Sequence, residues 1–543
     1  MSQTNSTAAS AGTVSLCVAL SRITGFARTW AMAYALGATF LSSSYQVANN
    51  LPNQLYELVM GGMLVTAFLP VYIEMRRKGG RRGGREYASA LFTLVVILLG
   101  IVSVAGMVFP QAIIYTQSFM SDQDAMGTAV LLFQFFSIQT VFYGASSVVS
   151  GLLNAHREYF WSSVAPIANN VIVIATFLLY AVVAPSHPTE ALYIIALGNP
   201  LGVVAQFAIQ VPHLHRAGIK LTFRLRMPAG ALRETLRIGA PAMLVMGFSF
   251  VTVSVMNAAS YCFADNGPSV IAYARLWYTL PYSFLAIPIT TVMFTELSEM
   301  HAEGNIRGLV RGIQSGTAQI MFLLIPFMLY LIVFADPLVA LYHMGAFEAD
   351  RIGQIADFLA ALALALPFYG VSSYLQKIFS TLRRMGVYAA LSIVSSVVQV
   401  VFTLGFAFGA QAGMALPLES VAWGSVLFYG VLDVSAFIYL RWFYPFLHFR
   451  SIFRASLRGL VMGGAGAVAG AAVLAGLQPL MGTAAQSIPG AFALLLVGGV
   501  VSLAVTFGIA LKRDVPEAAL VRSFADKFQR LGRRLLRRSG GRG

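Results

Sequence analysis

Charge is what this sequence is shortest of. Asp, Glu, Lys and Arg together make up 10% of its 543 residues, less than half the share of about 25% in an ordinary soluble domain. A chain of this length usually divides into several water-soluble domains, and so few charges cannot cover their surfaces. Cysteine is almost missing too. Cys17 and Cys262 are the only two, which excludes a disulfide framework or a cysteine metal cluster, and both read as small apolar packing residues. There is no Gly-rich phosphate loop ending in Lys and no His-Glu-x-x-His pair, the local patterns that nucleotide and zinc chemistry need. His213 and His215 flank a basic loop and read as solvated. Neither a metal nor a cofactor is implied. The connections between apolar stretches are too short for a nucleotide-hydrolysing domain, so an ATP-driven pump is excluded as well.

Apolar side chains take the place of charge, at 58% of the residues and a mean hydropathy of +0.74. A bilayer-crossing helix needs about 20 mainly apolar residues. Fourteen stretches qualify, at 12–36, 41–75, 87–115, 127–153, 160–183, 189–212, 234–262, 268–297, 308–341, 352–378, 386–409, 417–440, 456–477 and 487–511. Pro52, Pro70, Pro166, Pro281 and Pro288 lie inside them, which membrane helices tolerate because neighbouring helices satisfy the freed backbone groups.

The net charge of +15 falls unevenly. Of 36 Lys and Arg, 32 lie in or beside the connections after even-numbered stretches and at the C-terminus. The densest run is Arg76, Arg77, Lys78, Arg81, Arg82 and Arg85, interleaved with glycines. In a soluble protein such a balance suggests nucleic acid. Here the alternation is the positive-inside pattern, which places both termini in the cytoplasm and makes the number of spans even. The first span starts late and lacks a basic leader, so it reads as an uncleaved span. Beyond about residue 517, Val521, Phe524, Phe528, Leu531 and Leu535 recur at helical spacing among Lys and Arg. That pattern is a basic amphipathic helix suited to anionic lipid.

The chain also echoes itself. Thr66–Met75 and Thr291–Met300 each end a stretch that contains a Leu-Pro pair, Leu51-Pro52 and Leu280-Pro281, and the matched acids Glu74 and Glu299 are 225 positions apart. Arg157 and Arg384, in the next basic turns, are 227 apart. The expected fold is therefore an all-α polytopic membrane protein of about 14 transmembrane helices. Two six-helix lobes with pseudo-two-fold symmetry, 1–215 and 216–450, are followed by two extra helices over 451–512 and a basic cytoplasmic tail over 513–543. A parallel repeat of this kind suits a transporter that rocks two lobes around a central site.

Three cations remain inside apolar stretches: Arg22, Arg28 and Arg275. An arginine at a helix centre costs about 2.5–3.5 kcal/mol on insertion scales, so the alternatives are snorkelling to a membrane face, pairing with a local acid, or lining a water-filled cavity. In the last case they form an anion site, because a guanidinium binds phosphate oxygens bidentately, and Gly25 lets the first helix bend so that Arg22 and Arg28 meet. Glu57 and Asp433 are the intramembrane acids, candidates for ion pairing or for coupling to an ion. Asn53, beside Pro52, is a further candidate cavity residue.

The run Ser21-Arg22-Ile23-Thr24-Gly25-Phe26-Ala27-Arg28, with Leu51-Pro52-Asn53, Ala67-Phe68-Leu69-Pro70-Val71 and Tyr273-Ala274-Arg275-Leu276 before Leu280-Pro281, resembles the motif set of the MurJ/MviN family of the multidrug/oligosaccharidyl-lipid/polysaccharide exporter superfamily. The resemblance implies a lipid II flippase of the bacterial cytoplasmic membrane. Such a protein moves an undecaprenyl-diphosphate-linked peptidoglycan precursor by alternating access, and nothing is chemically transformed. It also implies that Arg22, Arg28 and Arg275 contact the diphosphate and that the last two helices hold the polyprenyl tail. The partners to expect are this lipid, anionic lipids at the basic loops and tail, and cell-wall synthesis proteins, with no nucleic acid. The chain departs from the family pattern at Tyr56, where a basic residue is usual, at Ser43, near the position of a family acid, and at Gly61-Gly62, where many members have Glu-Gly. Arg275 also sits one residue early relative to Pro281. These departures keep two alternatives open, a flippase for another polyprenyl-linked saccharide and a non-transporting cell-wall scaffold; a cation antiporter would need acids to dominate the cavity.

Overall fold

The computed structural model describes residues 2–61, 68–156, 158–227, 230–518 and 521–522. Among these every regular element is a helix. Ten helices are long and apolar enough to cross a bilayer, and two bent pairs, Asp124–Phe136 with Gln139–Ala155 (41°) and Arg351–Ala363 with Leu366–Thr381 (46°), raise the number to twelve. These twelve coincide with the third to fourteenth apolar stretches. The first stretch falls on the helix Ser2–Leu36, where two arginines dilute the apolar run. The second falls on Phe40–Tyr56 and the π-helical segment Glu57–Gly61, ahead of residues that are not described. The protein is an all-helical, multi-pass membrane protein. Most of the expected basic tail, and Arg157, lie outside the described residues.

Contacts divide the chain into two compact units. One comprises Met1–Ala272, Met344–Glu348 and Gln399–Val421, and the other Tyr273–His343, Ala349–Val398 and Ala422–Gly543. The boundary thus falls inside the helix Gly267–Pro281, whereas the sequence-based division lies at 215/216.

In the first unit, Ser2–Leu36 packs on Tyr159–Val183, which packs in turn on Pro188–Ala208. A second layer joins Phe68–Val108 to Gln139–Ala155 around Phe68, Tyr72, Tyr87, Leu91, Val95, Leu99, Val148 and Leu152. The basic Arg/Gly run is not an extended loop. It stays helical and turns at Gly80, whose φ of 61° is open to glycine but strained for other residues. The i,i+4 pairs Glu74–Lys78 and Arg82–Glu86 support the helix on either side. The segment before Ala231 is pinned to this helix: the backbone N–H groups of Thr222 and Arg224 donate to Ser89 Oγ (3.2 Å) and Thr93 Oγ1 (3.0 Å). Cys17 is buried, and burial pushes the Cys262 thiol up, in keeping with packing roles.

In the second unit the hub is Ile306–Val333, packed against Leu366–Thr381 on one side and Arg450–Met481 on the other. The last helix, Ile488–Lys512, closes on Arg450–Met481 through small residues. A β-carbon at Gly463 would lie 2.8 Å from Pro326 Cα, and one at Gly466 or Gly470 would overlap the hydroxyl of Thr506 or Ser502. The Tyr330 hydroxyl, hydrogen-bonded to Thr506 Oγ1, threads between the three helices. Close approach of backbones over small residues is how membrane helices gain van der Waals contact when the solvent is itself apolar. Gly464, by contrast, faces open space.

Candidate functional site

Each unit contains a π-helical segment, Glu57–Gly61 and Tyr282–Ala286, starting 225 positions apart. Each follows a helix that contains a proline, Pro52 or Pro281. Proline removes a backbone donor and crowds the preceding turn, and π turns inside helices occur frequently at functional sites. The breaks in the two bent pairs, at Ser137-Ile138 and Leu364-Ala365, are 227 positions apart.

The repeat is closest just after those breaks. Phe142-Tyr143-Gly144-Ala145-Ser146-Ser147 and Phe368-Tyr369-Gly370-Val371-Ser372-Ser373 are 226 positions apart. Their contacts repeat as well. The Tyr56 hydroxyl donates to Ser147 Oγ at 2.8 Å, and the Tyr282 hydroxyl and Ser373 Oγ are 2.7 Å apart. The rings of Tyr56 and Tyr143 lie 6.4 Å apart, and those of Tyr282 and Tyr369 lie 4.2 Å apart. A β-carbon on Gly144 would overlap Leu99 and one on Gly370 would overlap Leu324, so both glycines are positions of close helix approach. Every residue of the first joint belongs to the first unit and every residue of the second joint to the second.

Around the first joint the polar groups are hydroxyls and amides with two ionisable side chains, Arg28 and Glu57, the latter within electrostatic reach of Tyr56. Arg28 is partly buried and lies within electrostatic reach of the Tyr45 and Tyr143 hydroxyls. Tyr45 donates to Asn199 Oδ1 (2.7 Å), Asn169 to Gln206 Oε1 (3.2 Å), and Gln210 Nε2 to Ser146 Oγ (2.7 Å). One turn before Arg28, Thr24 Oγ1 accepts from Asn170 Nδ2 at 3.0 Å, which fixes this face of the first helix against Tyr159–Val183. The helix runs continuously through Gly25. Six positions of a regular helix leave Arg22 and Arg28 about 120° apart. Arg22 is exposed, beside the exposed Leu20 and Ile23. Asn53 and Glu57 belong together in another way: Asn53 Nδ2 donates to Glu57 Oε1 at 2.9 Å across the start of the π segment, with Glu57 exposed.

The second joint carries both signs of charge. Arg275 is exposed and acts electrostatically on Tyr278, Tyr369 and Tyr429, whose rings lie stacked at 5.7 Å (278 with 369) and tilted at 5.1 Å (369 with 429). Behind these rings Asp433 is only 4% exposed. Its Oδ1 accepts from Ser372 Oγ, and its Oδ2 has no partner among the described residues. Among those residues neither Asp433 nor Arg22, Arg28 or Arg275 makes an ion pair. The ion-pair alternative for Asp433 therefore gives way to a lone buried acid. An unpaired guanidinium among phenols and amides is what an anion site needs, because no internal carboxylate competes for it.

The departures at Tyr56 and Ser43 have local structural roles. Tyr56 makes the first joint, and the fully buried Ser43 accepts the backbone N–H of Ser269 at 3.2 Å. The sequence reading did not single out Tyr143, Ser146, Ser147, Tyr369, Ser372, Tyr278 and Tyr429. The duplicated Phe-Tyr-Gly-x-Ser-Ser string is the signal that points to the first five.

Comparison with known proteins agrees with this architecture. The family described as "Lipid II flippase MurJ" matches residues 32–477, a span that contains Asn53, Glu57, Arg275 and Asp433 but begins after Arg22 and Arg28. The lipid II flippase MurJ of Burkholderia cenocepacia is 26% identical over 363 residues, covering 65% of this chain and 69% of that protein. The probable lipid II flippase MurJ of Rhizobium tropici is 25% identical over 415 residues, covering 74% and 76%. Among solved structures, a lipid II flippase MurJ in an inward closed conformation superposes with a TM-score of 0.71 at 18% identity, over 92% of this chain and 99% of that one. An inward-facing MATE-family multidrug transporter of the MOP superfamily gives 0.66 at 15% identity, over 78% and 94%. These two likenesses concern the fold.

Proposed function

Because the chain belongs to the lipid II flippase MurJ family, we propose that it translocates lipid II across the bacterial cytoplasmic membrane by alternating access. The polar head passes through a cationic site while the polyprenyl tail stays in lipid. Arg22, Arg28 and Arg275 are the cations that meet the diphosphate during its passage. The protein breaks and forms no covalent bond. Both termini face the cytoplasm, where the basic turns and tail meet anionic lipid and cell-wall synthesis proteins.

The observation that carries this reading is Arg28, partly buried and within electrostatic reach of the Tyr45 and Tyr143 hydroxyls, with no carboxylate in ion-pair reach among the described residues. A multivalent anion supplies the missing counter-charge, and charge-assisted, bidentate bonds make guanidinium and diphosphate a strong match. An exporter of organic cations would instead need free acids around that position.

The test is transport by the full chain in liposomes that carry fluorescent lipid II in both leaflets, read by the fraction quenched from outside. Flipping well above protein-free vesicles is expected. Quenching that stops at the outer leaflet would overturn the flippase reading and favour a scaffold. Movement of a differently glycosylated polyprenyl diphosphate, with lipid II left in place, would reassign the cargo.

A further inference from the structure

We propose that Asp433 is a proton-binding carboxyl and that its occupancy is tied to the anion at Arg275; the second half of this inference rests on the flippase reading above. Asp433 lies within the apolar span Glu419–Phe443 and is 4% exposed. An unpaired carboxylate in such surroundings is so costly that the group takes up a proton or recruits a cation. The groups facing it are Ser372 from Leu366–Thr381, Tyr388 from Met385–Gln411, Tyr278 from Gly267–Pro281 and Tyr429 from its own helix. None of these is a cation. Ser372 donates to Oδ1, and Tyr388 donates to the Ser372 carbonyl at 3.0 Å, holding the serine in place. Oδ2 is left without a partner among the described residues, and so is the nearby Tyr278 hydroxyl. That oxygen is where the proton sits.

The first unit supplies the control. The matching serine there, Ser146, takes its hydrogen bond from the Gln210 amide at 2.7 Å. The repeated serine thus pairs with an amide in one unit and with a carboxyl in the other, and a protonated carboxyl is the neutral counterpart of that amide.

Arg275 acts on Tyr278 and Tyr429, the same two tyrosines that Asp433 acts on. A positive charge acting on the same two phenols would favour the ionised acid. A diphosphate docked on Arg275 cancels that charge and favours the proton. Binding linkage is reciprocal, so proton and anion strengthen each other's binding.

Infrared difference spectroscopy of the full chain in lipid nanodiscs tests both halves. The protonated-carboxyl stretch, identified by its shift in heavy water, is followed against pH in choline chloride, with and without undecaprenyl diphosphate. The expected result is a band that is lost in Asp433→Asn, moves to higher frequency in Ser372→Ala, and titrates at a higher midpoint when the lipid is present. The midpoint should not move with lipid in Arg275→Ala. If Asp433→Asn does not fold, the frequency change in Ser372→Ala identifies the band. A band that survives unchanged in both variants overturns the assignment, as does one that disappears when sodium replaces choline, which would make this a sodium site. A midpoint unmoved by lipid overturns the link to Arg275. If lipid II still flips in that case, only this inference fails; if it does not, the failure lies with the flippase reading.

Discussion

Tyr56 and Tyr282 occupy the same joint in two units, yet the charges beside the two joints differ. A shift of 226 positions takes Tyr56 to Tyr282, Tyr143 to Tyr369 and Ser147 to Ser373 with the contacts kept. The same shift takes Arg28 to Ser254 and Asn49 to Arg275. The hydrogen-bonded, close-packed frame is duplicated, and the ionisable groups are not. The first unit offers a partly buried cation beside phenols and an exposed acid bonded to Asn53. The second offers a cation in front of a buried acid. What the two share is structural, and where they diverge the chemistry is found.

The sharpest way to break this comparison is to remove the cations one at a time. Arg28→Ala and Arg275→Ala should each lower lipid II flipping about tenfold or more, the scale of one charge-assisted hydrogen-bonded contact, while both proteins reach the membrane at normal levels. Arg28→Lys should recover part of the loss, since the charge stays and the bidentate fork goes. Wild-type flux from either alanine variant would confine the anion site to a single unit.

A smaller effect tests whether the frames are equivalent. Gly144→Val and Gly370→Val each press a branched side chain toward a leucine on the neighbouring helix, an overpacking that costs about 1–3 kcal/mol. Both should lower the thermal unfolding midpoint by similar amounts, whereas Gly464→Ala, in open space, should leave it unchanged. Unequal losses would show that one joint tolerates opening better than the other.

The smallest effect is the tyrosine bond itself. Tyr56→Phe and Tyr282→Phe each delete one hydroxyl–hydroxyl hydrogen bond, worth about 1 kcal/mol. Matched shifts in unfolding midpoint are expected. A loss of flux in only one of the two variants, at equal stability, would mark that joint as the one that moves during transport.

The sequence was most legible where a property depends on local composition. The third to fourteenth apolar stretches reappear as helices or bent helix pairs because about 20 apolar residues satisfy a bilayer whatever their order. The internal echo read from Glu74 and Glu299 has the 225-position spacing of the π segments, and that read from Arg157 and Arg384 the 227-position spacing of the bends. Less could be read about the site. Gly25 lies within one continuous helix that Asn170 ties to Tyr159–Val183 through Thr24, and a glycine permits a bend without requiring one. Asn53 and Glu57 were separate candidates and turn out to be bonded across one turn.

By itself, then, the sequence determined the solvent, twelve of the fourteen expected spans and the presence of a few charges that hydrocarbon would not accept. Partition between water and lipid is a sum over side chains and needs no partners. Only the tertiary structure decided that Asp433 has a serine and, among the described residues, no ion-pair partner, that Asn53 bonds Glu57, and that Tyr56 and Ser43 hold helices together. Each of those facts depends on which residues come within about 3 Å, the reach of a hydrogen bond, and linear order does not fix that distance.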